Sequence, residues 1–275
     1  LIIAFFARQS RVKSALLIFS CILLFFIPVI TQTLRFSQPM RFNFISVGQG
    51  DSTLVTKGPC AMLIDAGGSF SGFDTGRFIV APHLLRRGIT HLDIVVITHT
   101  HPDHIGGIPF ILDRFAVGEV WTNVKSDRSP YFQDVMRITQ KRSIPLKAVS
   151  LGDIYELNGM KITVLNPEKN IACMNGSLDQ KFHPIVLKVD EDNMGGLFMA
   201  DADGFGEIRL CRLDNDLSAD VLKVAHHGSC KSCTNMLLDR VRPEIAVISC
   251  GYENHYKFPC KDVIHRLEKS GVRIF

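Results

Sequence analysis

Apolar residues run almost unbroken from 15 to 30, with only Ser20 and Cys21 intervening and Pro28 near the end, and extending the stretch through Leu34 brings it to about 20 residues. It shows no helical alternation of apolar and polar positions, which argues against a helix half-buried in a core. A stretch of about 20 apolar residues is enough to cross the hydrocarbon core of a bilayer. Arg8, Arg11 and Lys13 stand just before it. A secretory signal peptide has the same order of charge and apolar run. Here, however, residues 1–7 are already apolar and no small-x-small cleavage site follows. The pattern therefore predicts a transmembrane helix, with a linker over 32–39. Three basic residues before the span against Arg35 and Arg41 after it place the remainder on the extracytoplasmic side.

A different pattern begins at Met40. Residues 41–47 alternate as a strand does, and a turn, Gly48-Gln49-Gly50-Asp51, follows. Short apolar or alternating runs predict further strands at 52–56, 61–64, 92–98, 117–121, 147–150, 162–165, 185–189, 195–200, 220–224 and 245–249. Helical spacing predicts helices at 76–87, 108–115, 231–240 and 260–270. Strands come in runs with a few helices between them. That order suits packed sheets flanked by helices better than strict βαβ alternation.

Composition changes this picture little. The 46% hydrophobic content and mean hydropathy of +0.16 are high for a soluble enzyme and point to a segment with another solvent. A net charge of +4 permits a polyanionic substrate but lacks the strong basic bias of a dedicated nucleic-acid binder. The eight cysteines are scattered, and Cys230 and Cys233 make a lone C-x-x-C without a second pair. They read as small, partly buried thiols rather than as a disulfide framework or a structural zinc site. The chain opens on Leu1 and stops at 271–275 inside an expected strand. The expected organisation is thus a piece of a longer protein: a membrane segment and linker over 1–39, and a C-terminally incomplete domain over 40–275.

Ionisable residues concentrate at the ends of apolar strands. His99-Thr100-His101-Pro102-Asp103-His104 puts three imidazoles and a carboxylate within six positions. In an extended loop His99 and His101 point the same way, so one ion can take both. Pro102 then turns Asp103 and His104 toward a neighbouring position. Crowded imidazoles repel when protonated, and metal ions relieve this by binding the neutral rings. Asp201 closes 197–200, with Asp203 as a nearby competitor, and His226-His227-Gly228-Ser229 follows 221–225. Asp65 closes 61–64 and alone would pass for a turn former. His183 opens 184–189 and alone would pass for an ordinary partly buried histidine.

Together these elements resemble the metallo-β-lactamase superfamily, whose H-x-H-x-D-H motif is matched in full. The likeness is closer to the C-terminal hydrolase domain of the ComEC family of DNA-uptake channel proteins. It is carried by 47–52 (Val-Gly-Gln-Gly-Asp-Ser), 63–67, 98–107, 222–229 (Leu-Lys-Val-Ala-His-His-Gly-Ser) and 247–251 with Asn254 and Tyr256. The resemblance implies a four-layer αββα sandwich preceded by a transmembrane helix. It further implies two divalent ions, Zn or Mn, with His99, His101 and His183 on the first and Asp103, His104 and His226 on the second. Asp201 bridges them, Asp65 supports the ligands from behind, and Asp103 and His227 are the candidate catalytic groups. Three departures stand out. Met199-Ala200-Asp201 replaces a family Thr-Gly-Asp, and His183 stands where Asn is usual. The family's Asn-x-Tyr-Gly-His-Pro appears as Asn254-His255-Tyr256-Lys257-Phe258-Pro259, with Phe258 in place of a histidine suited to leaving-group protonation and His255 three residues earlier.

Two metal ions can activate a water and clamp an in-line displacement at phosphorus. The first expectation is therefore a phosphodiesterase acting on DNA, single-stranded above all, at the bacterial cytoplasmic membrane beside other competence DNA-uptake proteins. Ser229, Lys231 and Ser232 either contact a phosphate or simply begin a solvated helix. Two further readings are a metallohydrolase of a small ester or lactone, and a catalytically weak part of a DNA channel.

Overall fold

A computed structural model describes residues 38–70, 72–169, 183–192 and 194–275, together with residues 19, 20, 24 and 26. The expected transmembrane helix lies almost wholly outside the described residues, and no helix among the described residues is long and apolar enough to cross a membrane.

Two sheets carry the fold. The first holds β1 (Arg41–Phe44), β2 (Thr53–Lys57), β3 (Cys60–Ile64), β6 (His91–Ile97), β7 (Ala116–Thr122) and β8 (Leu146–Ala148), adjacent in that order. Between β3 and β6 a small hairpin is made by β4 (Ser69–Phe70) and β5 (Phe73–Asp74). The second sheet comprises β9 (Ile154–Leu157), β10 (Met160–Asn166), β11 (Val186–Glu191), β12 (Met194–Phe198), β13 (Val221–Lys223), β14 (Ile245–Val247) and β15 (Arg273–Ile274), adjacent in chain order. Each sheet is antiparallel at the β1 or β9 end and parallel beyond β3 or β12.

The strand period of two explains the layers, because successive side chains point to opposite faces. In β6, Ile94 and Val96 face the second sheet, while Val95 and Ile97 face the outer helices. Met62 and Ile64 of β3 likewise face inward and Ala61 and Leu63 outward. Val189 of β11 and Phe198 of β12 complete the inter-sheet core, with Phe198 edge-on to Phe42 at 5.2 Å. Ala81–Arg86, Ile108–Arg114 and Pro130–Arg142 cover the first sheet, and Gly204–Arg212, Asn235–Val241 and Lys261–Lys269 cover the second. The layers run helix, sheet, sheet, helix, as expected.

Several elements were not expected. Pro130–Arg142 buries Phe132, Val135, Ile138 and Thr139, a helical spacing. Gly204–Arg212 begins where Asp203 caps Gly206 N–H through Oδ1 at 2.9 Å, which makes Asp203 a cap rather than a rival to Asp201. The expected helix over 231–240 starts later, at Asn235, with Thr234 as its cap. The thiol reading of the cysteines is corrected at one pair. Cys230 is joined to Cys260 by a disulfide, while Cys60, Cys211, Cys233 and Cys250 are free. The partners are 30 residues apart in sequence, so only the close approach of two loops creates the bond.

Candidate metal centre

Asp65, His99, Asp201 and His226 follow β3, β6, β12 and β13, all at the C-terminal ends of parallel strands. In α/β sheets this is where ligand sites form. The ligand atoms of His99, His101 and Asp201 lie within 4.8 Å of one another, as do those of Asp103, His104 and His227. Asp201 stands between the two groups. Its Oδ2 is 3.7 Å from His99 Nε2, and its Oδ1 is 3.1 Å from His104 Nε2 and 3.7 Å from His227 Nε2. Each carboxylate oxygen thus serves one group.

The imidazoles are oriented from behind. His104 Nδ1 sits 2.8 Å from Asp65 Oδ2, and His227 Nδ1 sits 3.0 Å from the Ser249 carbonyl. Both oxygens only accept, so both Nδ1 atoms donate. Thr98 Oγ1 donates to Asp65 Oδ2 at 2.7 Å, which leaves a lone pair for His99 Nδ1–H at 3.1 Å. All three rings therefore present Nε2 to the centre, the tautomer a metal ligand requires. The Nε2 atoms of His99 and His104 and Oδ1 of Asp201 are buried with no hydrogen-bond partner among the described residues. Leaving such atoms unsatisfied is costly. Lone pairs converging on shared points are what a cation pair needs, so the residues fit the implied metals.

In the metal-free protein the same acids and imidazoles pair with one another. Burial pushes the Asp103 carboxyl up, but the hydrogen bond from His227 and the charge of His104 prevail and hold it at about 2. Burial lowers His104, yet Asp201 and Asp65 raise it well above the ordinary histidine value. His99 goes the other way, driven down by burial and by His104. Burial and the Asp65 backbone are linked too: Asp65 takes a left-handed φ of 56°, which turns its carboxylate back onto Thr98 N–H at 2.9 Å.

The expected ligands do not all assemble as expected. His227, not His226, meets Asp103, with Nε2 3.1 Å from Asp103 Oδ2. His226 is half-exposed, and its Nε2 lies 3.8 Å from Asp201 Oδ2 at the edge of the first group. Both residues adopt left-handed backbone (φ 48° and 55°), so the alternation of an extended strand end does not apply to them. His183 belongs to none of the close ligand groups among the described residues. Its carbonyl accepts from Asn123 Nδ2 at 3.1 Å, and burial with the nearby Arg209 lowers its ring below the ordinary value. It opens β11, whose entry is fixed by Ile185 N–H on the Thr98 carbonyl.

The model of the metallo-beta-lactamase superfamily matches residues 45–165. This is a metallo-β-lactamase fold. Among solved structures, CmlA, a diiron beta-hydroxylase from Streptomyces venezuelae, shares it with a TM-score of 0.55 and 14% identity, over 86% of this chain and 53% of that one. The metallo-beta-lactamase fold protein YhfI from Bacillus subtilis gives 0.51 and 13%, over 86% and 97%. In sequence the chain is similar to ComE operon protein 3 of Bacillus subtilis, 28% identical over 84% of this chain and 31% of the relative. Recombination protein 2 of Haemophilus influenzae is 28% identical over 95% and 30%, and competence protein ComA of Neisseria gonorrhoeae 28% over 82% and 29%. The expected likeness to the ComEC family is therefore present, and the chain spans about a third of the length of these relatives.

Around this centre a cleft of about 560 Å3 opens, walled by Gln49, Ser229, Lys231, Tyr256 and Phe258 beside the candidate ligands. Phe258 faces the site, its ring 6.0 Å from that of His226, while His255 is exposed and does not line the cleft. Ser232 is turned inward, donating to the Ala225 carbonyl at 2.9 Å, so only Ser229 and Lys231 of that trio reach the cleft.

Two residues escaped sequence reasoning. Asp51 lies within 4.8 Å of the His104 and Asp201 ligand atoms, and its Oδ1 pairs with Lys223 Nζ at 2.7 Å, both side chains being buried. Gly50 permits the placement. With φ 137°, it brings the 48–51 turn so close that an added Cβ would fall 2.3 Å from the Asp103 carbonyl. The available signal was a lysine inside the apolar run 221–225, since a buried lysine demands a partner.

Proposed function

We propose that this chain is the hydrolase part of a DNA-uptake membrane protein, a metal-dependent phosphodiesterase that cleaves DNA, single-stranded by preference. The observation that carries the reading is the pair of ligand groups on either side of Asp201, with their histidines locked to offer Nε2. His99, His101 and Asp201 Oδ2 would hold one ion, with His226 at its edge. Asp103, His104, His227 and Asp201 Oδ1 would hold the other. When bound, such a pair polarises the phosphoryl oxygens and lowers the pKa of a water held between the ions.

The chain's own residues supply the rest. Asp103, kept ionised, would accept a hydrogen bond from the attacking water and orient it. Lys231 and Ser229 sit where a phosphate oxygen would enter the cleft. Phe258 cannot give a proton to the leaving oxygen. The leaving group must therefore draw it from solvent or from half-exposed His226, and turnover is expected to be slow. The competence and recombination names of the relatives support DNA as substrate, other competence proteins as partners, and a place at the bacterial cytoplasmic membrane. The Cys230–Cys260 disulfide supports the extracytoplasmic side, where such bonds persist.

The test is cleavage of a single-stranded oligodeoxynucleotide with manganese or zinc by the wild type and by Asp103→Ala. Loss of about 100-fold or more in the variant is expected for a group of this kind. Equal cleavage by both proteins overturns the mechanism. Cleavage of simple lactones or esters without cleavage of DNA overturns the substrate.

A further inference from the structure

The aromatic wall of the cleft has no role in the hydrolysis itself. Phe258 stands edge-on to His226 with ring centroids 6.0 Å apart, and Tyr256 stacks on Phe258 at 5.5 Å with 16° between the planes. The two rings thus form a ladder that leads from the metal centre to the surface, where Tyr256 is 66% exposed. Exposing a stacked ring to water at the mouth of a charged cleft leaves apolar surface for something flat to cover.

The ladder is held in place. Asn254 Nδ2 donates to the carbonyls of Gly251 (2.8 Å) and Phe258 (2.6 Å), and its Oδ1 accepts from Phe258 N–H at 3.0 Å. Cys260 N–H bonds the Gly228 carbonyl at 2.8 Å, and the disulfide to Cys230 ties the same loop to the ligand loop. A rigid ring loses little entropy on binding, which is what makes an aromatic platform effective.

We propose that Tyr256 on Phe258 is a stacking platform for the unpaired base of the nucleotide next to the scissile phosphate. The inference rests on the phosphodiesterase reading above and adds how its substrate is chosen. Lys231 lines the same cleft and Lys257 is exposed between the two rings in sequence, while Asp103, Asp201 and Asp203 are the acids that line the cleft and Glu253 is the acid nearest in the chain. Aromatic faces interleaved with cations are the chemistry that binds single strands, because every base has a π-face whereas a duplex hides its own. Phe258 in place of a histidine thereby exchanges proton transfer for grip on the substrate.

The test measures binding of metal-loaded protein to two fluorescein-labelled probes by anisotropy: a single-stranded oligodeoxynucleotide and an abasic oligomer of the same length. Stacking is worth about 1–3 kcal/mol per base, so the wild type should prefer the base-bearing probe by roughly 5- to 150-fold. Tyr256→Ala should lower that ratio at least about five-fold, and Tyr256→Trp should keep it. Equal affinity for both probes in the wild type, or an unchanged ratio in Tyr256→Ala, overturns the platform. Cleavage of the abasic oligomer by the wild type reads the metal centre separately. Cleavage without base preference sinks the platform alone, and base preference without cleavage of either probe sinks the phosphodiesterase reading alone.

Discussion

At the scale of single residues the decisive feature is which nitrogen each histidine turns inward. Asp65, Thr98 and the Ser249 carbonyl occupy the Nδ1 atoms of His104, His99 and His227, so the Nε2 atoms have nowhere else to go. Among the described residues His226 has no such backing, and metal content should separate it from its neighbour. After dialysis against metal-free buffer, His227→Ala should retain about one equivalent fewer than the wild type by elemental analysis, and His226→Ala should retain more than His227→Ala. The reverse ranking would restore His226 as the ligand beside Asp103. A second consequence concerns pH in the metal-free protein. Asp103 sits at about 2 against an ordinary 3.8. Its pairing with His227 therefore stabilises the fold fully above the ordinary value and ceases to do so as pH falls through about 2. A shift of this size corresponds to roughly 2 kcal/mol. In urea melts with chelator, wild type and Asp103→Asn should differ by about that much at pH 5 and converge toward pH 2. A constant gap would mean the pair contributes no ionic stabilisation. The hexad from His99 to His104 was legible because spacing in an extended loop is local. The choice between His226 and His227 was not, since it turns on two left-handed residues that no local pattern announces.

At the scale of elements, the loops after β13 and β14 behave as one unit. Cys230–Cys260, the Gly228 carbonyl and Arg266 bind them together, with Arg266 donating through Nη2 to the Cys230 carbonyl at 3.0 Å and the Ser232 carbonyl at 2.7 Å. Closing a loop of 30 residues removes denatured-state entropy worth about 3–4 kcal/mol in the chain-entropy model. Reduction, or Cys260→Ser, should lower the urea midpoint accordingly, and an unchanged midpoint would show that the bond does not form. Helix Gly204–Arg212 is tied to the same region by Glu207, which accepts from Cys233 N–H at 2.8 Å and Thr234 N–H at 2.7 Å. Burial lifts this carboxyl to about 7. Pairings of this kind join residues 26 or more positions apart and leave no local trace. Helix Pro130–Arg142 is a different case. Its apolar spacing and its proline start are present in the sequence, so it is legible there without any long-range contact.

At the scale of the molecule, two sheets share one inner core, and the site lies across the ends of both. Phe198 is nearly fully buried at their junction, against Phe42 and Phe44. Phe198→Ala should cost about 3–5 kcal/mol, read by denaturant unfolding. It should also weaken metal retention, because Asp201 follows three residues later. Full retention in a destabilised variant would uncouple the sheets from the centre. The strand series, and packed sheets with helices outside them, followed from short apolar and alternating runs, while the four-layer order was what the family resemblance implied. Likewise the six positions from His99 to His104 marked a candidate metal site by themselves, since three imidazoles and a carboxylate within one short loop are ligand chemistry. Only the tertiary structure brought His227 and Asp51 close to the other candidate ligand atoms, paired Asp51 with Lys223, and set Phe258 and Tyr256 into the wall of the cleft. Those residues come from separate strand ends, and their meeting depends on how the sheets pack, a long-range fact that no window of sequence contains.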